Sequence, residues 1–436
     1  MTSLISQPGP PFPPAAPRPP GPSFPSAAPS QPAPPSRPAP PAVLSTGPEA
    51  ITAAREYAES IAGGVIERDR AGAVPAAEIA AFDASGLLAI TVPGEHGGAE
   101  LPASVLAEVI RVIAAVDPAL AQVPQAHYLF TDVLAAWGTD AQQRRLFAEV
   151  LDGGRFGNGL AERGGKHAQD LKTRLHSSGT GARLRGRKYY CTGAITARWI
   201  GVTAIDDDGH LVLAFVPRNA DGVLIDEDWN VMGQRATVSG SAVFDDVAVD
   251  PSLVIPYERV FQVPQQLGAR AQLVHAAIQT GIAGGALADA GEFVREKARP
   301  FFEAANGGWA QRASDDPHTI YRYGRLASRV RAAEALLRDA AATLDDVTRR
   351  PKDAQAAARG SIAVAQAKAF ASEVAVEVAS DLFALSGASA ADERHDLSRH
   401  WRNARTHASH DPADWKYHHV GNYLLNNVPP PNHGQV

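Results

Sequence analysis

The chain contains 436 residues, of which 45% are hydrophobic and 20% are charged, and its formal net charge at pH 7 is -6. This length allows two or three packed units, and the charge balance argues against a nucleic-acid-binding protein. Cys191 is the one cysteine, which excludes an internal disulfide and a thiolate-rich metal site. The sequence shows no secretory signal and no run of about 18 apolar residues that would predict a membrane span. We therefore expect a cytoplasmic protein.

The first 48 residues consist mainly of Pro, Ala, Ser and Gly. Proline fixes φ and has no backbone N–H, and this segment offers too little large apolar surface to offset the entropy of the chain. We predict a disordered or polyproline II tail over residues 1–48 that takes no part in the fold. A plain tail is the favoured interpretation, and a ligand for another protein is the alternative.

Residues 49–152 are rich in helix formers, and we predict an N-terminal helical domain there. Ile51, Ala54, Tyr57 and Ile61 recur at the spacing of one helical face. Another short helical segment follows Pro75. Further helices are predicted near residues 104–116, 118–137 and 140–151.

The pattern changes at Gly153, where short β-prone runs begin, separated by Gly, Asp and Asn. These runs are too short and too close together for helical crossovers, so they favour an antiparallel barrel or sandwich. We predict a central β-barrel domain over residues 153–257. The overall fold class is therefore α+β.

Long helical patterns return over residues 258–436 and predict a C-terminal four-helix bundle. They are broken at Arg299-Pro300, Asp316-Pro317 and Arg350-Pro351. The small residues of the stretch GIAGGALADAG (residues 281–291) favour close helix packing over a phosphate-binding loop.

Several motifs of other enzyme classes are missing. The dinucleotide fingerprint lacks its third glycine after Gly179 and Gly181, and no complete P-loop or Gly-x-Ser-x-Gly element occurs. His407 and His410 are spaced for one helical face, but no Glu-x-x-His pair accompanies them, which argues against a di-iron bundle. We expect no metal.

Three segments, in this order and spacing, resemble the acyl-CoA dehydrogenase superfamily. They are residues 156–165 (FGNGLAERGG), 186–194 (GRKYYCTGA) and 229–249 (WNVMGQRATVSGSAVFDDVAV). The segment 399–412 (RHWRNARTHASHDP) is similar to the dibenzothiophene monooxygenases and carries a histidine where the dehydrogenases have the catalytic glutamate of a Tyr-Glu-Gly element. The resemblance covers residues 51–436.

This resemblance implies a two-component monooxygenase. A separate NAD(P)H:flavin reductase would supply reduced FMN (FMNH2), O2 would add to form a C4a-hydroperoxyflavin, and one oxygen atom would pass to a small organosulfur, other heteroatom or aromatic substrate. It also implies a homotetramer. One alternative is an FAD-dependent acyl-CoA dehydrogenase or oxidase, and another is a non-enzymatic scaffold whose proline-rich tail recruits partners.

The resemblance also implies functional residues. His410 is the expected proton-managing residue, Thr192 stands where the family has a flavin-bonding serine, and Asn158 completes the catalytic set. Arg299 matches a phosphate-binding arginine, whereas Ser389 replaces an arginine that another subunit contributes. The implied cofactor-binding residues are Asn158, Gly159, Leu160, Ala161, Glu162, Arg163, Lys188, Tyr189, Tyr190, Cys191, Thr192, Arg299, Ala388, Ser389 and His410.

The expected substrate pocket departs from the family at two positions. Gln122 and Ala126 stand where the family has a histidine and a tyrosine, so dibenzothiophene itself is not implied. For the neighbouring His127, a functional role and a place in the core are both left open. His407 is expected to support His410, and Gly164 and Gly165 form either a loop hinge or an ordinary turn.

Overall fold

The computed structural model describes residues 40–167, 169–179, 181–347, 349, 351 and 353–435. Most of the predicted tail lies outside these residues, but its last part differs from the prediction. Gly47 and Pro48 already belong to the first helix, because Thr46 and Glu49 cap its start reciprocally. The carbonyl of Ala42 lies where a Cβ on Gly86 would be, so this part of the chain packs against the fold.

The N-terminal part is helical, as predicted, and positions one wall of the candidate site. A single predicted helix over residues 118–137 is in fact two helices, because Pro124 has no N–H for a continuous ladder. Asp117 caps the first of the two, accepting hydrogen bonds of 3.1 Å from the N–H groups of Ala119 and Leu120. The helices of this part are α1 (Gly47–Ala62), α2 (Val65–Ala71), α3 (Ala76–Ala84), α4 (Ala103–Val116), α5 (Pro118–Gln122), α6 (Gln125–Trp137) and α7 (Asp140–Leu151).

The central part forms one eight-stranded sheet. Its strands are β1 (Phe156–Gly159), β2 (Arg174–Ser178), β3 (Gly181–Lys188), β4 (Trp199–Ile205), β5 (Leu211–Pro217), β6 (Val223–Asp226), β7 (Ser241–Val249) and β8 (Val254–Ile255). The order is β6-β7-β3-β2-β4-β5-β8, with β1 paired to β4. Most pairs are antiparallel, but β1–β4 and β2–β4 are parallel, so the purely antiparallel prediction is wrong there. The pairings of the described strands run as an open path, and a closed barrel is not confirmed.

The sheet has an apolar core of its own, separate from the core of the helices. Five of its strands each contribute a buried side chain to this core: Leu175, Leu184, Val202, Val216 and Val247. A second, larger core is formed by buried apolar residues that lie mostly on the helices.

The described residues of the C-terminal part form three long helices and three shorter ones: α8 (Leu267–Glu296), α9 (Phe302–Asn306), α10 (Pro317–Asp345), α11 (Ala354–Ser386), α12 (Ser398–Ala408) and α13 (Ala413–Asn426). Helix α11 contacts α8, α10, α12 and α13. The four-helix bundle predicted from the sequence is not confirmed in that form. Among the described residues, none of the helices combines the length and the apolar character that a membrane span needs.

The small residues of α8 serve helix packing, as predicted. A Cβ at Gly281 would lie 2.6 Å from the carbonyl oxygen of Arg111, and one at Gly285 would collide with that of Ala115. Both carbonyls belong to α4, so these glycines allow α4 and α8 to approach closely.

Candidate functional site

Three buried hydroxyl groups form a chain between the β3–β4 connection and the loop before β7. Thr192 Oγ1 lies 2.7 Å from Ser239 Oγ, which lies 2.8 Å from Thr237 Oγ1. Thr237 Oγ1 donates to the carbonyl oxygen of Gln234 at 2.9 Å. The exposed fractions of these three residues are 7%, 5% and 1%. Thr192, predicted from its motif, is thus the end of a continuous polar chain.

Asn158 fixes the turn that carries Thr192. Its side-chain amide donates to the Tyr190 carbonyl at 3.2 Å, its amide oxygen accepts from Leu160 N at 3.0 Å, and its backbone N–H donates to the Thr192 carbonyl at 3.1 Å. Tyr190 has φ +57°, which a tyrosine rarely adopts. The amide keeps one free N–H and one lone pair for another partner.

Glu162 and Lys188 meet in a buried ion pair of 2.7 Å. The Lys188 ammonium also donates to Thr203 Oγ1 at 3.2 Å and to the Leu160 carbonyl at 3.3 Å. Burial lowers the pKa of Lys188, against the effect of Glu162. Burial alone would raise the pKa of Glu162, but the hydrogen bonds from Lys188 and Thr173 lower it. Both side chains therefore pair with each other and with groups at the ends of the strands.

The other residues of the two segments predicted to bind flavin mostly hold the backbone in place. Tyr189 N donates to the Ala161 carbonyl at 2.9 Å, and a Cβ at Gly159 would lie 2.9 Å from the Gly201 carbonyl oxygen. The Arg163 guanidinium lies over the rings of Tyr189 and Tyr190, at 4.8 and 4.6 Å. Cys191 is fully buried, and burial raises the pKa of its thiol to about 12, so it is not a reactive thiol at neutral pH.

His410 lies in a second polar cluster, at the end of α12. Its ring packs against that of His275 in a tilted arrangement, with centroids 4.1 Å apart, and His275 Nδ1 lies 2.9 Å from His407 Nε2. The His410 side chain is 42% exposed, whereas His275 and His407 are buried. Burial lowers the pKa of His407 to about 3 and that of His275 well below its usual value. His407 thus contacts His275, whose ring packs against that of His410.

A buried aspartate between two buried lysines lies behind His410. Asp411 accepts from Lys368, pairs with Lys416 at 2.8 Å, and lies 3.1 Å from His410 Nδ1. Lys368 also donates to Gln272 on α8. Burial alone would raise the pKa of Asp411, but the hydrogen bond from His410 and the charges of both lysines hold it well below its usual range. Burial lowers the pKa of Lys368 to about 8.

These charges determine which nitrogen of His410 carries the hydrogen. An ionised Asp411 only accepts hydrogen bonds, so Nδ1 of His410 must donate to it. In the neutral ring, Nε2 is then an acceptor. Burial and the Lys368 charge lower the pKa of His410, while Asp411 opposes them, so the ring is mainly neutral at pH 7. The site therefore presents a neutral base that is partly open to solvent.

Helix α12 joins the two clusters. Its Asn403 side chain accepts from the backbone N–H of Gln234 at 2.5 Å, at the anchored end of the hydroxyl chain. One residue later, the Ala404 carbonyl accepts from Gln279 of α8 at 3.2 Å, and His407 follows within one turn. Gly233 allows this contact, because a Cβ there would collide with the backbone of Arg402. The hydroxyl chain and the histidine cluster thus share one helix.

Three predicted cofactor residues lie away from both clusters. Arg299 is exposed between α8 and α9, and its side chain makes no hydrogen bond or ion pair within the described part of the chain. Ala388 and Ser389 are exposed in the turn after α11. Within one chain, the structure brings none of the three into contact with Thr192 or His410.

Comparisons with known proteins identify the family of this chain. Models of the acyl-CoA dehydrogenase N-terminal, middle and C-terminal domains match residues 49–154, 159–247 and 273–415. The chain belongs to the acyl-CoA dehydrogenase family. It is 32% identical to a dibenzothiophene monooxygenase of Rhodococcus erythropolis over 395 residues, which cover 87% of this chain and 93% of that protein.

Two further relatives support the monooxygenase branch of this family. A probable FMNH2-dependent monooxygenase, SfnC, of Pseudomonas putida is 31% identical over 399 residues, covering 89% of this chain and 98% of that protein. The FMN-bound structure of TdsC from Paenibacillus sp. A11-2 is similar with a TM-score of 0.84 and 29% identity, covering 89% of this chain and 100% of that one. The predicted resemblance and the predicted monooxygenase class are confirmed.

Within this family member, His127 belongs to the core. Its Nε2 lies 2.9 Å from the Leu88 carbonyl, and its Nδ1 accepts from Phe156 N at 3.3 Å. Burial lowers its pKa to about 3. Both ring nitrogens have partners, so no functional role is left to explain. Of its predicted pocket neighbours, Ala126 is buried, and Gln122 has a buried side-chain oxygen with no hydrogen-bond partner among the described residues.

Several site residues were missed by sequence reasoning: His275, Lys368, Asp411, Lys416, Thr237 and Ser239. Lys368 offered a signal, because it is a lone lysine in an alanine- and valine-rich helical stretch, where a buried charge requires a partner. Ser239 and Thr237 lie in a quoted motif, but the motif gives no reason to choose them. His275 carried no signal of its own.

Proposed function

We propose that this protein is a two-component flavin monooxygenase. It takes FMNH2 from a separate NAD(P)H:flavin reductase and uses O2 to transfer one oxygen atom to a small organosulfur substrate. The similarity to an FMNH2-dependent monooxygenase and to an FMN-bound structure supports FMN as the cofactor. The alternative is an FAD-dependent acyl-CoA dehydrogenase or oxidase.

The state of Asp411 is the observation that carries this proposal. A dehydrogenase needs a free carboxylate base at this end of α12, but Asp411 is held between Lys368 and Lys416 and has a strongly lowered pKa. A carboxylate in that state is a poor proton acceptor. The adjacent His410 has a lowered pKa and is 42% exposed, which suits proton management during oxygen transfer.

The polar groups around Thr192 fit a flavin. When bound, reduced flavin supplies the activation of O2, and the protein supplies orientation and the exclusion of water. Thr192 offers a hydroxyl, and Asn158 and Tyr190 hold its turn in place. We assign the catalytic roles to His410, Thr192 and Asn158. The cofactor-binding run contributes mainly backbone groups, because the Glu162 and Lys188 side chains are paired with each other.

A homotetramer belongs to the same proposal. Arg299, Ala388 and Ser389 are exposed and lie apart from Thr192 and His410 in their own chain, and in an assembly they would reach the site of another copy. Large apolar side chains exposed on α10 and α13 support coverage by other copies: Ile320, Tyr321, Trp415, Leu424 and Leu425. A closed barrel and a four-helix bundle remain the finer fold features that we propose from the resemblance.

The substrate proposed is a small organosulfur compound. The similarity to a dibenzothiophene monooxygenase supports this class, whereas Gln122 and Ala126 would give the pocket a different shape and polarity. An amine or aromatic compound is the second choice.

Stopped-flow absorbance tests the proposal. Anaerobic protein loaded with FMNH2 is mixed with oxygenated buffer, and we expect an absorbing species that precedes oxidised flavin. Labelled ¹⁸O2 and a panel of sulfides and sulfones then identify the product by mass spectrometry. Direct reoxidation without that species, together with bleaching of bound FAD by an acyl-CoA, would contradict the proposal and favour the dehydrogenase.

A further inference from the structure

The hydroxyl chain ends at a fixed acceptor. The Gln234 carbonyl has no hydrogen to give, so in the 2.9 Å contact Thr237 is the donor. The same carbonyl accepts from the indole N–H of Trp229, also at 2.9 Å. One end of the chain is therefore an acceptor whatever else binds in the site.

Counting hydrogens then orients the other two hydroxyls. Each hydroxyl has one hydrogen to donate. Thr237 gives its hydrogen to the Gln234 carbonyl, so in the 2.8 Å contact Ser239 must donate to Thr237. Ser239 has then used its hydrogen, so in the 2.7 Å contact Thr192 must donate to Ser239. The oxygen of Thr192 is left with lone pairs only.

The loop that holds this chain resists a change of geometry. Gln234 and Val238 both have positive φ, at +56° and +47°, which is costly for residues with a Cβ and persists only when the surroundings enforce it. The Gln234 N–H is bound to Asn403 of α12 at 2.5 Å. The Gln234 backbone, whose carbonyl sets the direction of the hydrogen bonds in the hydroxyl chain, is thus held in place from both the sheet and the helical part.

We propose that Ser239 and Thr237 are positioning residues that turn the Thr192 hydroxyl into an acceptor, so that the site selects reduced over oxidised flavin. Reduced flavin has an N–H on its central ring where oxidised flavin has only a lone pair. An acceptor at Thr192 can therefore accept a hydrogen bond from the N–H of reduced flavin. Oxidised flavin would instead place a lone pair against the lone pairs of Thr192, which is repulsive. This inference rests on the proposed function and adds to it a reason why spent flavin leaves.

The test compares the affinities of the apo protein for FMN and for FMNH2, measured anaerobically, and the reduction potential of bound FMN. The wild type is expected to bind FMNH2 more tightly. In Ser239→Ala, the Thr192 hydroxyl loses its acceptor and can donate to oxidised flavin, so the ratio Kd(FMN)/Kd(FMNH2) should fall about ten-fold, and the potential by about 30 mV. Thr237→Val frees Ser239 and should shift the ratio in the same direction.

Two variants control for structural damage. Ser239→Thr keeps the hydroxyl and should keep the wild-type ratio. Thr343→Val removes an exposed hydroxyl of α10 that donates to the Asp339 carbonyl, and it should change nothing. Equal ratios in wild type and Ser239→Ala would overturn the inference, even if both proteins oxygenate substrate. Failure of the wild type to bind either form of FMN would instead overturn the proposed function.

Discussion

Two histidines in this molecule have contrasting environments: His127 is closed into the core, whereas His410, the proposed catalytic residue, is partly open to solvent. His127 has both ring nitrogens bound to backbone groups, at 2.9 and 3.3 Å, and its ring stacks on that of Phe156 with centroids 5.4 Å apart. His410 has one nitrogen bound to Asp411 and is 42% exposed. Both nitrogens of the His127 ring are therefore occupied, whereas among the described residues one nitrogen of the His410 ring is left for another partner.

The charged groups near the two rings also differ. His127 has mainly apolar neighbours, and burial alone accounts for most of its lowered pKa. His410 faces charged groups from three directions: Lys368 on α11, Asp411 beside it and Lys416 on α13, with His275 and His407 packed around it. A ring in such surroundings can change its protonation at moderate cost. The role of a histidine therefore follows from its partners more than from its place in a motif.

The largest effect expected is the loss of oxygenation in His410→Ala. General acid–base residues typically contribute about 100- to 10,000-fold, so kcat should fall by at least about 100-fold while the protein still folds, because the ring is partly exposed. His176→Ala, at an exposed position on β2, is the matched control and should keep its activity. A ratio of the two kcat values near one would assign His410 to structure and erase the contrast with His127.

His127→Ala should lower the stability of the protein and leave its kcat almost unchanged. The change empties a buried site and leaves the Leu88 carbonyl and the Phe156 N–H without partners. We expect a loss of about 3 kcal/mol in the free energy of unfolding. Urea unfolding measures this loss, and the kcat per folded molecule should stay close to wild type. A stable variant with a large kcat defect would show that His127 takes part in the chemistry.

Acid should unfold the protein through its buried neutral histidines. His127 and His407 have pKa values of about 3 in the fold, against about 6.5 in the unfolded chain. Above pH 6.5 each histidine makes its full contribution to the free energy of unfolding. This contribution is lost as the pH falls from 6.5 towards 3, because in that range the histidine takes up a proton in the unfolded state but not in the fold. Each ring contributes at most about 1.4 kcal/mol per pH unit to the slope. Urea midpoints between pH 7 and 4 test this, and His127→Gln should flatten the curve. An unchanged slope would mean that the ring is protonated in the fold.

Local motifs predicted the parts of the site that lie close together in sequence. Asn158, Thr192 and the two runs around them were expected, and they form one connected turn. The helices were expected from their periodicity and breaks, such as that at Asp316-Pro317, where α10 begins. These features depend on neighbouring residues, which a sequence displays directly.

Long-range partners could not be predicted in this way. Ser239 lies 47 residues from Thr192, Lys368 lies 43 from Asp411, and His275 lies 132 from His407. Their pairing depends on how whole helices pack. The parallel pairing of β1 with β4 was missed for a similar reason, because β2 and β3 lie between them in the chain and hide the crossover.

The smallest effect expected is a change in the pKa of His410 itself. Lys368→Met removes a positive charge that faces His410 and Asp411, so the protonated ring becomes less unfavourable and the pKa of His410 should rise by about one pH unit. Lys368→Arg keeps the charge and should leave the pKa near the wild-type value. Deuterium exchange at the ring C2 position of the apo protein, followed by mass spectrometry across pH, reports each histidine separately. His127 supplies the internal reference, because its distant, apolar surroundings should not respond to Lys368. If both histidines shift together, the variant has loosened the fold. If neither shifts, Lys368 holds Asp411 in place without tuning the ring beside it.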